Sequence, residues 1–185
     1  MTGQTINVVI AGLGGQGVIK ASDVLSEAVF RSGYDVKKSE LHGMSQRGGS
    51  VCSEVRFGLR VLSPMAPPGE ADFLLVLAPD QVEVNRGQLR PGGVLLAPEL
   101  VDAGPLANRK GLNMALIGAL SAHLEIAHEH WMGAMRACFP EKHHTANKQA
   151  FDAGRRAAQA RLSPANPSFP ADSSARRPCH GHCQL

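Results

Sequence analysis

Apolar residues follow two different spacings along the chain, and each spacing predicts a different kind of element. Residues 7–11 form a short apolar run that predicts a buried strand, and from Val18 to Ser32 apolar residues recur at helical spacing. Gly33 is expected to end this helix in the left-handed conformation that glycine favours. The most hydrophobic run, residues 71–77, is short and bounded by turn-forming residues, which predicts a central parallel strand covered on both faces.

The same patterns predict the remaining elements. Further strands are expected at residues 34–39, 51–57 and 94–97. Helices are expected at residues 80–88, 113–128, 131–139 and 146–160. Alternating strands and helices predict an α/β fold with a Rossmann-like, doubly wound, mostly parallel sheet and C-terminal helices. We therefore expect one domain over residues 1–162, followed at residues 163–185 by a tail whose proline-rich composition predicts disorder.

Composition and charge narrow the functional classes. The 185 residues are 43% hydrophobic, enough for one packed core, and the net charge of +3 comes without a lysine-rich arm, which argues against nucleic-acid binding. No apolar run reaches the roughly 18 residues of a membrane span, and no basic segment precedes the first apolar run, so we expect no membrane helix and no signal peptide. Cys52 and Cys138 lie in apolar segments, as reduced thiols do, which favours a cytoplasmic location.

Three glycines after the first strand form the pattern G-x-G-x-x-G, which needs a strand before it and a helix after it. Gly12 would permit a tight turn, Gly14 the approach of another group to the backbone, and Gly17 close packing of the helix against the strand. The first-turn N–H groups of the helix would then favour an anion. A nicotinamide or flavin dinucleotide site also needs an acidic residue about 20 residues further on, and Glu40 is the candidate. The alternatives are a purely structural turn and a site for a different anion or a partner.

Two other motifs look functional at first sight. Two cysteines and two histidines lie within residues 179–183, where they could hold zinc. Their spacing is too tight for all four to reach one tetrahedral ion, so we expect no metal site there. The Arg-Gly-Gly triplet at residues 47–49 occurs once between two strands, unlike the repeated, aromatic-interleaved triplets of RNA-binding arms.

Two motifs taken together are more specific than the glycine turn alone. The sequence G-L-G-G-Q-G at residues 12–17 is followed by H-G-M-S-Q-R-G-G at residues 42–49. This order resembles the gamma domain of the 2-oxoacid:ferredoxin oxidoreductases, in which a G-x-G-G-Q-G turn precedes an H-G-x-x-Q-R-G-G loop. The similarity extends to about residue 160, and residues 140–155 look most like the small subunit of indolepyruvate ferredoxin oxidoreductases.

The resemblance implies a subunit rather than a complete enzyme. The family oxidises 2-oxo acids with coenzyme A to an acyl-CoA and CO₂, and passes two electrons to ferredoxin by means of thiamine diphosphate and iron–sulfur clusters. This chain lacks the family's thiamine diphosphate motif and has no four closely spaced cysteines for a cluster. We therefore expect no cofactor on this chain alone and a large partner subunit that carries both. A stand-alone Rossmann-like NAD(P)- or FAD-binding oxidoreductase is the alternative, and a purely structural adaptor is a third possibility.

The resemblance also implies where the site lies, with no catalytic residue and no metal ligand on this chain. The cofactor-binding residues that it implies are Gly12, Gly14, Gly15, Gln16, Gly17, His42, Gln46, Arg47, Gly48 and Gly49. The guanidinium of Arg47 carries several hydrogen-bond donors in a fixed fork that suits phosphate or carboxylate. Together with the glycine turn at the N-terminus of the first helix, Arg47 would form a small positive recess. This recess could face the coenzyme A phosphates or the interface with the thiamine site. Alternatively, Arg47 pairs with an acid of the partner, with Glu40 or with Glu54. His42 could donate a proton near the substrate or hydrogen-bond the neighbouring backbone.

Overall fold

The computed structural model describes residues 5–43, 48–101 and 111–162. Its strands are β1 (Ile6–Leu13), β2 (Asp35–His42), β3 (Ser50–Gly58), β4 (Ala71–Val76) and β5 (Leu89–Leu96). Its α-helices are α1 (Val18–Arg31), α2 (Val82–Asn85), α3 (Leu112–Ser121), α4 (His128–Cys138) and α5 (His144–Leu162). Short 3₁₀ helices occupy Pro79–Gln81, Arg86–Gln88, Pro98–Leu100 and Glu141–His143.

The five strands form one mixed sheet in the order β2-β3-β1-β4-β5. β4 pairs in parallel with β1 and β5, which confirms the central parallel strand expected from its apolar run. β3 instead runs antiparallel to both β1 and β2. The α/β fold is confirmed, but the sheet is mixed rather than mostly parallel. The reason is that the connection from β2 to β3 is too short for the crossover helix that parallel neighbours need.

The longer helices cover one face of the sheet, which differs from the helices on both faces that a doubly wound sheet would have. Side chains of α1, α3, α4 and α5 share one hydrophobic core with Val8, Ile10 and Val55 of the sheet. A smaller apolar cluster, which includes Val9 and Leu74, lies on the opposite face. The helical layer therefore buries most of the apolar surface.

A loop covers the opposite face of the sheet. Glu54 is 4% exposed, and its carboxylate accepts a hydrogen bond from Ala66 N at 2.8 Å. Arg56 Nη1 donates to the carbonyl oxygens of Ser63 at 3.0 Å and Met65 at 2.9 Å. These bonds give buried or half-buried charged groups their partners, and they hold the loop of residues 59–70 against β3.

The predicted elements are present with shifted ends. α1 is followed as expected by Gly33, whose φ is 84°. The helix expected at residues 80–88 is instead a four-residue helix between two 3₁₀ turns, and Gly87, a poor residue for a helix interior, lies in the second of these turns. The strand expected at residues 94–97 is β5, which already begins at Leu89 and contains a register shift against β4 near its start.

α3 is the centre of the helical layer, and it is buried from Asn113 to Ser121. At its crossing with α5, a Cβ on Gly118 would collide with the backbone of Phe151, and a Cβ on Gly154 would collide with the backbone of Ala115. The missing side chains therefore let the two helices approach more closely than larger residues allow.

Other expectations from the sequence concern cysteines, membranes and the tail. Cys52 and Cys138 are free thiols, and burial, aided by the Glu54 charge, raises the pKa of Cys52 to about 11. Within the three described ranges, no helix is both long enough and apolar enough to cross a membrane. Residues 163–185, which include the cysteines and histidines of the tail, lie outside the described residues.

Candidate functional site

The two sequence motifs meet at one end of the sheet. β1 and β3 are antiparallel neighbours in which Leu13 is paired with Ser50, so the end of β1 lies beside the start of β3. One residue beyond this pair, Gly14 N donates a hydrogen bond to Gly49 O at 2.9 Å. The glycine turn of residues 12–17 and the end of the second motif therefore share a backbone hydrogen bond, although 35 positions separate Gly14 from Gly49 in the chain (49 minus 14).

Backbone conformation and one side chain fix the shape of the glycine turn. Gly15 and Gly17 have φ of 91° and 85°, values that residues other than glycine rarely adopt. Gln16 closes the turn on both sides, because its backbone N donates to Leu13 O at 3.1 Å and its Oε1 accepts from Leu13 N at 2.8 Å. The side-chain oxygen of Gln16 is therefore already hydrogen-bonded inside the turn.

The glycines of the turn have different surroundings from those expected. Gly12 is still within β1, where an added Cβ would lie 2.8 Å from Gln16 Oε1 and 3.0 Å from Leu77 Cβ. The neighbour that approaches Gly14 is the second motif, with Gly48 N at 3.5 Å from a built Cβ. Gly17 was expected to bring the helix close to the strand, but it instead makes room for the Asn113 side chain of α3.

The outer side of the turn is open, and it lies beside the N-terminus of α1. Gly14, Gly15 and Gln16 are exposed, and a Cβ built on Gly15 would meet nothing within 4 Å. The first turn of α1 contains no acidic residue and carries the exposed Lys20. The bond from Ala21 N to Gly17 O, 2.9 Å long, is the first i to i−4 bond of α1, and the N–H groups before it have no such partner within the helix. This arrangement favours an anion.

His42 lies at the same end of the sheet. It ends β2 and is paired with Val51 of β3, so one strand separates it from the glycine turn. Its ring Nε2 is 3.6 Å from Glu40 Oε2, and its side chain is 52% exposed. Its ring therefore contacts a carboxylate of the same strand, and whether it also donates a proton or bonds the neighbouring backbone stays a prediction. The next residue, Gly43, donates its N–H to Ser50 O at 2.9 Å and so closes the base of the loop.

The loop itself is described in part. Gln46 and Arg47 lie outside the described residues, whereas Gly48, with φ of 66°, and Gly49 are described. The two acids considered as internal partners of Arg47 already have contacts, because Glu40 pairs with Lys38 and Glu54 accepts from Ala66. Whether Arg47 also contacts either of them stays a prediction.

Two polar contacts that the sequence reasoning missed attach the site to the rest of the fold. Asn113 Nδ2 donates to Gly17 O at 3.3 Å, and Asn113 Oδ1 accepts from Met114 N at 2.9 Å. Ser50 Oγ donates to Gln81 Oε1 at 3.1 Å, which joins β3 to the turn after β4. An asparagine at the start of an apolar helix was the available signal for the first contact, since asparagine there commonly caps backbone groups.

The strand order argues against a dinucleotide site of the usual kind. In that fold the second strand lies next to the first, and its terminal acid reaches the ribose. Here β3 lies between β1 and β2, which places the backbone of Glu40 about 10 Å from β1, two strand spacings away. The Glu40 carboxylate contacts Lys38 at 2.8 Å. The glycine turn is shared with dinucleotide-binding proteins, but in the described part of the chain the candidate acidic residue, Glu40, does not lie next to it.

Comparison with known proteins agrees with this geometry. The sequence profile of the pyruvate ferredoxin/flavodoxin oxidoreductase family matches residues 7–157, which contain both motifs. The gamma subunit of a keto/oxoacid ferredoxin oxidoreductase from Geobacter sulfurreducens has a similar structure, with a TM-score of 0.69 and 25% identity. That similarity covers 84% of this chain and 99% of the other. The fold is thus that of a gamma-type subunit of an oxidoreductase.

The chain belongs to the pyruvate ferredoxin/flavodoxin oxidoreductase family. Indolepyruvate oxidoreductase subunit IorB of Pyrococcus horikoshii is 33% identical over 196 aligned positions, covering 84% of this chain and 97% of that protein. The common gamma subunit of the pyruvate/ketoisovalerate oxidoreductases of Thermococcus litoralis is 30% identical over 126 positions, covering 65% and 68%. The resemblance inferred from residues 12–17 and 42–49 is therefore confirmed.

Proposed function

We propose that the protein is the small subunit of a 2-oxoacid ferredoxin oxidoreductase whose substrate is indolepyruvate or a related arylpyruvate. The complex would decarboxylate the 2-oxo acid oxidatively with coenzyme A, yielding an acyl-CoA, CO₂ and reduced ferredoxin. The similarity to the P. horikoshii subunit supports the choice of an arylpyruvate, because it extends over nearly the whole length of that relative. A cytoplasmic location accompanies this function.

The large partner subunit would carry the thiamine diphosphate and the iron–sulfur clusters, and coenzyme A would enter as co-substrate. The contribution of this chain would be the recess between the glycine turn and the second motif. Residues 1–162 would form the functional domain, in line with the family match that ends at residue 157. Residues 163–185 would lie outside it.

The observation that carries the role of the recess is the hydrogen bond between Gly14 and Gly49 beside the start of α1. It brings two backbone segments with exposed atoms next to the positive end of a helix dipole. Such a surface could hold the coenzyme A phosphates, or it could receive an acidic segment of the partner beside the thiamine site. Both roles would use the same exposed backbone groups and the same helix N-terminus. Measurements of assembly and of the KM for coenzyme A in the complex distinguish the two roles.

The assembled complex is the first test. The chain is co-expressed with a large thiamine- and cluster-containing subunit, and reduction of ferredoxin by indolepyruvate is measured with and without coenzyme A. We expect the two chains to co-purify and the activity to require both chains and coenzyme A. Dye reduction by the full chain alone, with its own tightly bound prosthetic group, would contradict the proposal.

A pair of glycine substitutions tests the recess. Gly15→Asn adds a side chain to the open side of the turn, and Gly33→Asn adds the same side chain at the other end of α1. Both glycines have positive φ and open space around the built Cβ, and asparagine tolerates this conformation better than most residues. The backbone cost should therefore be similar for the two variants.

We expect Gly15→Asn to raise the KM for coenzyme A at least about tenfold, which corresponds to roughly 1.4 kcal/mol of lost binding, while Gly33→Asn leaves it unchanged. If Gly15→Asn instead prevents co-purification of the two subunits, the recess is a partner interface. Unchanged assembly and unchanged KM in Gly15→Asn would remove the recess from the proposal.

Arg47 is the second target. Arg47→Ala removes the guanidinium that the family motif places in this loop, and Arg47→Lys keeps the charge without the bidentate geometry. We expect the KM for coenzyme A to rise more in the alanine variant than in the lysine variant. If KM and turnover are unchanged in both, Arg47 has no part in binding.

A further inference from the structure

An apolar groove of about 330 Å³ follows the outer edge of β5, and residues 94–97 line it consecutively. Successive side chains of a strand point to opposite faces, so a groove on one face of the sheet would be lined by every second residue. Val94 and Leu96 pack with the core under the helices, whereas Leu95 packs with the cluster on the opposite face. The groove therefore runs along the backbone edge of the strand.

β5 is the last strand on its side of the sheet, and no strand within the described ranges pairs with its outer edge. On the inner side, residues 94–96 are paired in parallel with residues 73–75 of β4. In such a ladder, alternate residues direct their backbone N–H and C=O groups toward one neighbour, and the residues between them direct theirs the other way. β5 therefore presents hydrogen-bonding backbone groups to the groove.

The helical layer forms the opposite wall of the groove. Ala158 and Leu162 of α5 line this wall, together with His123, which follows α3. Because the other wall is the edge of β5, these residues lie over space that no described strand fills. The helical layer thus reaches past the sheet, and the space beneath it has the position of a sixth strand.

The walls of the groove suit apolar side chains. The ring of His123 packs against Phe73 with ring centroids 5.7 Å apart, and burial lowers the pKa of His123, so the ring is uncharged at neutral pH. The exposed Arg161 donates from Nη2 to Glu99 O at 3.3 Å, which places charged side chains at the rim. An occupant would therefore place apolar side chains inside the groove and polar groups at its rim.

We propose that the outer edge of β5 binds one extended segment of the large partner subunit, which becomes a sixth strand of the sheet. Backbone hydrogen bonds to β5 would supply affinity, and apolar side chains at every second position of the segment would pack beneath the end of α5. The inference rests on the proposed function, because the partner is the large subunit inferred above. It adds the place where that subunit is held, at the edge of the sheet two strands from β1.

Two arguments favour a partner over the other possible sources of a strand. The alignment with the P. horikoshii subunit spans 196 positions but only about 155 residues of this chain (84% of 185), so about 41 positions of that relative (196 minus 155) have no counterpart here. This chain therefore has less polypeptide with which to cover its own edge. A second copy would pair its β5 with this one about a two-fold axis perpendicular to the sheet, which would bring both α5 ends over the same joined edge. A single strand brings no such helix with it.

Hydrogen exchange of the β5 amides tests the pairing. Residue-resolved exchange is measured on the full chain alone and in its complex with the large subunit, with residues 8–11 as the control, because β1 is paired on both sides. In the chain alone, alternate amides of residues 94–97 should exchange rapidly, since they have no partner. In the complex we expect the same amides to exchange at least about a hundredfold more slowly, while the β1 amides exchange slowly in both states.

Each of the other exchange patterns contradicts the inference in its own way. Equal exchange of the β5 amides in the two states would show that the partner does not pair with this edge. Slow exchange in the chain alone, at every concentration, would assign the edge to another segment of the same chain. Protection that increases with the concentration of the chain alone would assign the edge to a second copy.

A pair of leucine substitutions tests the groove. Leu162→Glu places a charge in the groove wall, and Leu62→Glu places the same charge on the loop after β3. The two leucines are 48% and 81% exposed, so neither change should impair folding. Titration of the large subunit with each variant should show binding at least about tenfold weaker for Leu162→Glu, roughly 1.4 kcal/mol, and unchanged for Leu62→Glu. Unchanged binding of Leu162→Glu, or equal losses in the two variants, would overturn the inference.

Reduction of ferredoxin by the complex separates this inference from the proposed function. A complex that is active with coenzyme A but leaves the β5 amides unprotected would keep the proposed function and overturn the strand addition. Protected β5 amides in a complex that does not oxidise indolepyruvate would support the docking site and show that the proposed substrate is wrong. Two chains that do not co-purify would overturn both.

Discussion

The α3–α5 crossing and the glycine turn both depend on glycine, but the space left by the missing side chains is used differently. At the crossing, Gly118 and Gly154 each face the backbone of the opposite helix, so that space is already filled by protein. At the turn, Gly15 faces nothing within 4 Å. The comparison separates glycines that packing requires from glycines that leave backbone accessible, and the second kind is where a ligand or partner can bind.

The largest expected effect is at the crossing. Gly118→Ala forces a methyl group into the backbone of Phe151, and the two helices must move apart. We expect the free energy of unfolding to fall by about 3 kcal/mol or more, at the upper end of overpacking costs. Urea unfolding of the full chain measures this change.

Gly133→Ala is the control for the crossing. Gly133 is also inside a helix, but its added methyl would meet the Arg31 side chain at 3.2 Å, which can move aside. Since alanine has the higher helix propensity, we expect this variant to be unchanged or up to about 1 kcal/mol more stable. Equal losses in the two variants would show that the crossing is no tighter than an ordinary helix surface.

An intermediate effect is expected at the residue that connects the two regions. Asn113 lies near the turn at the start of α3, the helix that crosses α5. Its side chain forms hydrogen bonds with both Gly17 O and Met114 N. Asn113→Ala leaves these backbone groups without that partner, which should cost about 1–2 kcal/mol. Urea unfolding checks the stability, and a KM for coenzyme A that rises in the assembled complex would show that α3 holds the turn in its binding conformation.

A smaller stability effect is expected at the turn itself. Gly15→Asn and Gly33→Asn both place asparagine at positive φ in open space, so each should lower the free energy of unfolding by about 1 kcal/mol or less. Similar stabilities with different KM values would sharpen the comparison. If Gly15→Asn instead lowers the free energy of unfolding as much as Gly118→Ala does, the turn has a packing requirement as well.

The smallest effect is expected at the end of β2 away from the turn. Hydrogen bonds from Val61 N and then from Lys37 hold the pKa of Asp35 below its usual value. The stability from this carboxylate is present above the unfolded-state pKa and is lost as the pH falls through the lower folded-state pKa. Asp35→Asn should therefore make stability less dependent on pH below roughly pH 4.

Urea midpoints measured between pH 2.5 and 7 test this dependence. Glu83→Gln is a useful control, because the pKa of Glu83 is also lowered but its partner Arg86 lies three residues away in the chain. A contact between residues so close in the chain survives partly in the unfolded protein. It should therefore contribute less to the pH dependence of stability. Identical pH profiles for wild type and Asp35→Asn would contradict the assignment.

The sequence was sufficient for the elements whose patterns are local. The apolar run of β4 and the helical spacing of α1 with Gly33 behind it predicted those elements, since burial and backbone freedom are properties of neighbouring residues. The order of the strands is not a local property. The antiparallel insertion of β3 between β1 and β2 decides it, and no pattern within β3 marks that choice.

For the site, the two motifs indicated which segments belong together, but not how each residue is used. The side chain of Gln16 closes its own turn, and Gly17 makes room for Asn113, a residue 96 positions further on. Glu40 was considered as a ribose ligand or as a partner of Arg47, and its contacts are with Lys38 and His42. Such assignments depend on three-dimensional neighbours that the spacing of residues does not reveal.

The charges of β2 have a second consequence, because β2 is an edge strand of the sheet. An edge exposes unpaired backbone groups to which a strand from another molecule can add, and natural proteins discourage this with charged side chains. Asp35, Lys37, Lys38 and Glu40 provide such charges along most of β2. These charges would therefore also help to keep separate copies of the protein from aggregating through this edge before a partner subunit is bound.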